Sequence, residues 1–378
     1  MVVAKHRNTY VTVDLQVIRD NIKHKIAQMN PDQELYAVVK ANAYGHGMIP
    51  VAKAALEAGA SGFCVAVLDE GLALRQAGFT QPILILGASR PEDAALLAQN
   101  TLSATVPHLK WLQEAVDHLT VEKVTEPLLI HIALDTGMGR IGLRSGDQVV
   151  EMEDYISRHQ DILALEGVFT HFAKADSADQ EHVKGQVETF KQLLTFFKQM
   201  PKQVHCSNSA WAIWHELGFS PIVRYGIGIY GINPSNGELA LPESEHLKPA
   251  LRWDTEMVQV KLLPKGATIS YGATYTCPQD EWIATLPVGY ADGWLRSYHK
   301  LSVLVEGILC PIVGRVCMDQ CMIRLPKEFP VGTKVTLIGT NGDKEITAED
   351  VSQSSESIGY EVLCLIGERV PRVYINES

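Results

Sequence analysis

No stretch of this chain is apolar for long enough to cross a bilayer, and nowhere do Lys and Arg gather into a run. A spanning helix needs about 20 consecutive apolar residues, so none is expected. The lack of a basic run leaves no arm for nucleic acid. Basic charge is scarce throughout: 33 Lys and Arg against 44 Asp and Glu give a net charge of −11. Such a surface repels nucleic acid and anionic membranes, although a local basic site can still hold a phosphate. Residues 1–14 are charged early and alternate, so no signal peptide is expected. The seven cysteines are odd in number, scattered from Cys64 to Cys364, and form no CxxC pair. Reduced thiols in a cytoplasmic protein without a metal site are the expectation.

A GxGxxG fingerprint after the first strand is missing too, which disfavours an open dinucleotide-binding sheet. What is present is a regular alternation. Continuous apolar runs at 35–40, 62–67, 82–86, 102–106, 128–134, 165–172, 203–206 and 222–225 have the character of strands covered on both faces. Helical patterns lie between them at 50–58, 69–77, 91–99, 108–119 and 181–200. Eight such repeats predict an α/β fold, a closed (β/α)8 TIM-type barrel.

The pattern changes after Tyr230. Turn formers at 233–238 read as a linker. Short strands follow at 253–263, 268–275, 282–287, 302–305, 309–316 and 334–338, with a helix at 347–354. A mostly-β C-terminal domain is expected. The domain division is 1–236 for the barrel, whose first residues can pair with the second domain, and 237–378 for the rest.

Functional groups of such barrels collect at the C-terminal ends of the strands. Lys40 closes the first run and is followed by small residues, Ala-Asn-Ala-Tyr-Gly-His-Gly. Desolvation there makes a lysine a competent amine, although a strand-end lysine can also simply snorkel to water. His171 ends another run and suits either a proton relay or a structural role. Ser209 opens a helix, where it can cap the helix or help bind a phosphate. Arg224 precedes Tyr-Gly-Ile-Gly-Ile-Tyr-Gly, whose backbone can approach an anion closely, and it can equally be an ion-pair partner. Arg140, in the loop 135–140, is a candidate for carboxylate binding. Tyr271, in the second domain, reads on its own as a packing residue with a polar tip.

Taken together, these segments resemble the alanine racemase family of barrel-type pyridoxal-phosphate enzymes along nearly the whole chain. The resemblance rests on AVVKANAYGHG around Lys40, DTGMGRIG around Arg140, THFA at His171, SNS at Ser209 and RYGIGIYG from Arg224. It continues through SYGATY at Tyr271, VGYADG at Tyr290, CMDQ at Met318 and Asp319, and GYE at Tyr360. It implies racemisation of L- and D-alanine with pyridoxal 5'-phosphate, supplying D-alanine for peptidoglycan. Lys40 would carry the cofactor and act as base on the D-face of the substrate. Tyr271 of a partner subunit would be base on the L-face, so a homodimer with shared sites is implied. Tyr44, Ser209, Tyr360, Gly226 and Ile227 would hold the phosphate, and Arg224 would face the pyridine nitrogen. His171 and Arg140 would stabilise the Tyr271 phenolate. Met318 would help place the carboxylate, with Tyr290 and Asp319 supporting and gating the site.

In one place the chain departs from the family. Ala133 stands where many members carry a carbamylated lysine that orients the arginine of the 135–140 loop. A serine or broad-substrate racemase of the same family is the alternative reading. A non-catalytic cofactor-binding protein would consist of the barrel alone, and the second domain speaks against it.

Overall fold

A computed structural model describes residues 2–216, 218 and 220–377. The first strand, β1 (Tyr10–Asp14), does not belong to the barrel. Its last residue, Asp14, caps the helix Leu15–Gln28 by accepting the N–H groups of Gln16 at 2.9 Å and Val17 at 3.3 Å. This helix, which the sequence reading did not foresee, leads into eight parallel strands. They are β2 (Glu34–Val38), β3 (Gly62–Val65), β4 (Ile83–Ile85), β5 (Ser103–Val106), β6 (Leu128–Ala133), β7 (Leu163–Phe169), β8 (Gln203–His205) and β9 (Ile222–Tyr225). Each pairs with the next in sequence order, and β9 pairs with β2. A bridge between Ser207 and Val223 joins β8 to β9, so the eight strands close as expected.

All eight predicted runs overlap a barrel strand. The helices at 48–57, 68–76, 109–122 and 181–194 fall close to their expected places. A further helix, Gly146–Ser157, carries a capping box in which Ser145 and Gln148 satisfy each other's backbone donors.

The second domain contains β10 (Leu251–Glu256), β11 (Gln259–Leu263), β12 (Thr268–Ile269), β13 (Tyr275–Thr276), β14 (Glu281–Leu286), β15 (Ser302–Val305), β16 (Ile308–Pro311), β17 (Cys321–Leu325), β18 (Lys334–Asn341), β19 (Lys344–Ile346) and β20 (Arg372–Ile375). The run expected at 253–263 is therefore two strands, and the run at 268–275 is a short hairpin around a turn. A second helix, Gly359–Leu365, was not expected at all. The larger sheet has the order β16-β15-β18-β10-β1-β20, so β1 lies between β10 and β20. Its core holds Trp253, Trp294 and Tyr298, with ring centroids 5.6 and 5.0 Å apart in edge-to-face packing.

Two contacts bring this domain to the barrel mouth. The Gly359–Leu365 helix packs so closely that a Cβ on Gly45 would fall 2.4 Å from the Leu363 carbonyl oxygen. Arg372, on β20, donates to the Gly45 carbonyl at 2.9 Å. No helix among the described residues is long and apolar enough to cross a membrane.

Asp14 thus joins both domains at one residue, since its Oδ1 also accepts from Asn376 at 2.9 Å. Asp14→Ala should cost about 1 kcal/mol through the lost cap. A melting curve should show a fall of about 2 °C, and an unchanged curve would contradict this account of the cap.

Candidate active site

The chain leaves β2 at Val38, and Lys40 lies two residues beyond the strand rather than on it. Val39 still pairs with Cys64, donating to its carbonyl at 3.0 Å. Four residues, Ala41, Asn42, Ala43 and Tyr44, then take left-handed backbone angles, with φ between 50° and 55°. Each costs roughly 1 kcal/mol for a residue with a Cβ, so the turn needs outside support. Glu70 supplies it: one carboxylate oxygen accepts from Ala41 N–H at 2.6 Å, and the other accepts from Ala66 and Val67. Asn42 closes the turn by accepting from Met48 N–H at 2.8 Å. The small residues after Lys40 therefore serve this left-handed turn as well as leaving room around the amine.

The Lys40 Nζ lies 5.9 Å from the centre of the Tyr44 ring and has no hydrogen bond or ion pair among the described residues. Burial lowers its pKa, and the charge of Arg140 lowers it further. Tyr44 is buried among Tyr230 and Tyr360, with ring centroids 5.0 and 6.2 Å away. Burial raises the pKa of both Tyr44 and Tyr360, which keeps these phenols as donors.

The Tyr44 hydroxyl faces Gly226 so closely that a Cβ there would lie 2.9 Å from it. Next to it, the Ser209 hydroxyl accepts the N–H groups of Gly226 at 2.8 Å and Gly228 at 3.3 Å. Ser209 is not the helix cap. That role falls to Asn208, whose side chain accepts from Trp211 N–H at 2.9 Å. Ile227 follows Gly226 in the buried turn Ile227–Tyr230.

Arg224 is buried on β9. Its guanidinium donates to His205 Nδ1 at 2.5 Å and to the carbonyls of Thr170 at 2.9 Å and Cys206 at 3.3 Å. His171 Nδ1 is 3.4 Å from the same group. Burial, with the charges of Arg224, Arg140 and Lys40, pushes the His171 pKa well below the usual range, so the ring is neutral. Arg140 is exposed, yet its charge is felt at Lys40, His171 and Arg224. Its loop is shaped by Asp135, which accepts from Gly137 and Gly139 N–H. Ala133 is buried and offers no group to orient Arg140.

Sequence reading passed over the residues that brace these loops. Buried Gln186 donates to Thr136 Oγ1 at 3.3 Å and to the His171 carbonyl at 3.1 Å. It thereby ties the Arg140 loop to the strand end that carries His171. Glu70 and His205 were missed as well. A buried polar residue between apolar neighbours was the available signal for His205; Glu70 and Gln186, on amphipathic helices, gave none.

The remaining predicted residues form a second group on the C-terminal domain. Tyr271 sits on the turn Tyr271–Ala273 after Ser270, whose φ is +68°, and not in a strand as expected. It is 73% exposed, and Met318 is 52% exposed. They line one open recess with Cys317 and Asp319. The Tyr271 hydroxyl has no hydrogen-bond partner among the described residues. Tyr290 is next to this recess, its N–H donating to the Cys317 carbonyl at 3.1 Å. Asp319 accepts from Arg369 at 2.6 Å. Within one chain, then, no hydrogen bond, ion pair or ring contact among the described residues joins Tyr271 or Met318 to Lys40.

Two family models match successive parts of the chain. Residues 13–234 match the alanine racemase N-terminal domain and residues 250–374 the C-terminal domain. The alanine racemase of Ligilactobacillus salivarius is 52% identical over 374 residues, covering 99% of this chain and 100% of the relative. The crystal structure of alanine racemase from E. faecalis superposes with a TM-score of 0.96 at 46% identity, covering 99% of this chain and 100% of that one. The Bacillus anthracis alanine racemase with bound L-Ala-P follows at 0.94 and 45%, covering 99% and 96%. With the whole length matched in both sequence and fold, this chain belongs to the alanine racemase family of isomerases.

Proposed function

We propose that this protein interconverts L- and D-alanine with pyridoxal 5'-phosphate, using Lys40 and the Tyr271 of a second copy as its two proton-transfer groups. The observation that carries this reading is the Lys40 amine. It stands without a partner at the barrel mouth, 5.9 Å from the centre of the Tyr44 ring, where its charge is felt at His171.

The residues fit the cofactor. Gly226 leaves space beside Tyr44 that a Cβ would fill. Tyr44, Ser209 and Tyr360, with the backbone N–H groups of Gly226 and Ile227, would hold the phosphate there. Lys40 would carry the cofactor through its amine, Arg224 would face the ring nitrogen, and His171 would flank the ring. When bound, the cofactor supplies an electron-withdrawing ring that acidifies the substrate α-carbon.

Inverting that carbon needs a proton acceptor on each face. Lys40 Nζ, with its ammonium form disfavoured, serves the D-face. Tyr271 serves the L-face, and a phenol with a reference pKa of about 10 needs its anion stabilised. The positive charge of Arg140 and the N–H of neutral His171 supply that stabilisation. Arg140 and Met318 also place the substrate carboxylate. Arg224 does not release a proton, so it would leave the ring nitrogen unprotonated and thereby disfavour amino transfer. Tyr290 and Tyr360, supported by Asp319, narrow the entrance and favour a methyl side chain over the larger group of a broad-substrate racemase. D-Alanine formed this way would supply peptidoglycan assembly in the cytoplasm, a setting supported by the seven free cysteines.

Exposed Tyr271 and Met318 would meet the mouth of a second copy, giving a homodimer with shared sites. Mixing settles this. Lys40→Ala and Tyr271→Phe are each expected to lose at least a hundredfold in turnover. Co-refolded in equal amounts, they should recover about a quarter of wild-type activity, because half the dimers are hybrids with one intact site each. No recovery would rule out sharing, and near-normal turnover by Lys40→Ala would sink the whole reading.

A second test follows from the lowered Lys40 pKa. The neutral amine exists at lower pH than in an ordinary lysine, so the rate at which apoprotein takes up pyridoxal phosphate should rise with a midpoint below 10.5. A midpoint at or above that value would contradict the desolvation argument.

A further inference from the structure

Barrel interiors of this kind are normally layered with branched apolar side chains. Here a row of polar groups crosses the interior instead. Arg224 Nη1 meets His205 Nδ1 at 2.5 Å, and His205 Nε2 meets His131 Nδ1 at 2.9 Å. His131 Nε2 then faces Glu166 Oε2 at 3.7 Å, and the Ser103 hydroxyl donates to the same oxygen at 2.6 Å. Both imidazoles are buried.

The backbone is built around this row. Ile130 pairs with Leu165 but His131 pairs with Gly167, so Glu166 is the extra residue of a bulge in β7. Bulges re-aim side chains, and this one places Glu166 against His131. The next residue must be glycine, because a Cβ on Gly167 would lie 2.4 Å from His131 Nδ1. Phe169 stacks on His205 at 5.1 Å and carries the Arg224 guanidinium 5.4 Å above its ring.

Hydrogen-bond inventory gives the row a direction. A guanidinium only donates, so His205 Nδ1 must be bare and its proton must sit on Nε2. His131 must then accept at Nδ1 and carry its own proton on Nε2, pointing at the Glu166 carboxylate. Burial keeps both rings neutral, reinforced at each by the charge of Arg224. Burial pushes the Glu166 carboxyl up, but His131 and Ser103 outweigh it and hold the group below the usual carboxylate range. The opposite direction would set a His205 N–H against an Arg224 N–H. Arginine cannot pass a proton on, so the row orients groups and is not a proton channel.

We propose that Glu166 is a remote positioning residue, which fixes the tautomers of His131 and His205 and so holds the Arg224 guanidinium in its working orientation. The inference rests on the role given to Arg224 above. Nitrogen-15 spectra of histidine-labelled holoenzyme test it, with His131 and His205 assigned by single substitutions. Wild type should show a bare Nδ1 and a protonated Nε2 on both rings. Protonated Nδ1 on either ring in wild type would overturn the proposal, whether or not any variant folds.

Glu166→Leu should give mixed tautomers at His205. It should also lower racemisation roughly tenfold, the scale on which outer-sphere partners act at metal sites. Pyruvate released per turnover should rise, matched by an equal amount of cofactor that has taken up the amino group, since a misaligned Arg224 would no longer keep the ring nitrogen unprotonated. Glu166→Gln, which can still present an acceptor to His131, should restore the tautomers and the product ratio. A Glu166→Leu protein with wild-type tautomers and product ratio, whatever its melting temperature, would reduce Glu166 to a structural residue and overturn the proposal. Failure of the racemase reading is distinguishable: wild type would not turn over alanine, while the tautomers would still report on Glu166.

Discussion

An arginine keeps its proton under any condition in which a protein stays folded, so a guanidinium buried among titratable groups obliges them, rather than itself, to be neutral. Arg224 occupies that position in this barrel. Burial drives His205 and His171, both in contact with it, well below the usual histidine range, and its charge acts in the same sense. Burial lowers the Lys40 pKa, and the charge of Arg140 adds to it. The amine with its ammonium form disfavoured, the neutral imidazoles and the protonated phenols at the mouth therefore share one electrostatic and solvation environment. Changing any one of them means first asking what it does to the two guanidinium groups.

Holding this environment costs backbone strain, which the second domain and the helices outside the barrel offset. Four successive left-handed residues after Lys40 are tied by Glu70 from the next helix and covered by the Gly359–Leu365 helix of the other domain. The Arg140 loop has no buried lysine at position 133 to lean on. It is braced by Asp135 from within and by Gln186 from outside. Rigidity at the mouth is thus assembled from parts far apart in the chain.

Much of the architecture was legible because continuous apolar runs announce buried parallel strands. Lys40, Arg140, His171, Ser209 and Arg224 stood out as polar residues where such runs stop. What stayed hidden had no local signal. The Gly359–Leu365 helix spans only seven residues, too short for periodicity to declare itself. Ser209 looked like a cap because it opens the helix, but the adjacent Asn208 competes for that position and wins. Tyr271 looked like a strand residue, since a positive φ at Ser270 is set by tertiary contacts and not by residue type. Gln186 and Glu70 act across space from helix faces that read as ordinary solvent-facing positions.

The placement of β1 between β10 and β20 has a consequence for how the chain is made. Barrel pairing can be complete once β9 has left the ribosome. β1, already exposed by then, has to wait for both of its neighbours, and the second of them ends at Ile375. At typical synthesis rates, the 150 residues between Tyr225 and Ile375 take on the order of 10 s. During that interval a strand-forming segment remains without its permanent partners, the condition under which chains pair with the wrong neighbour. Its alternating burial and the charged residues just before it, Lys5 and Arg7, suit a segment that must remain soluble while it waits.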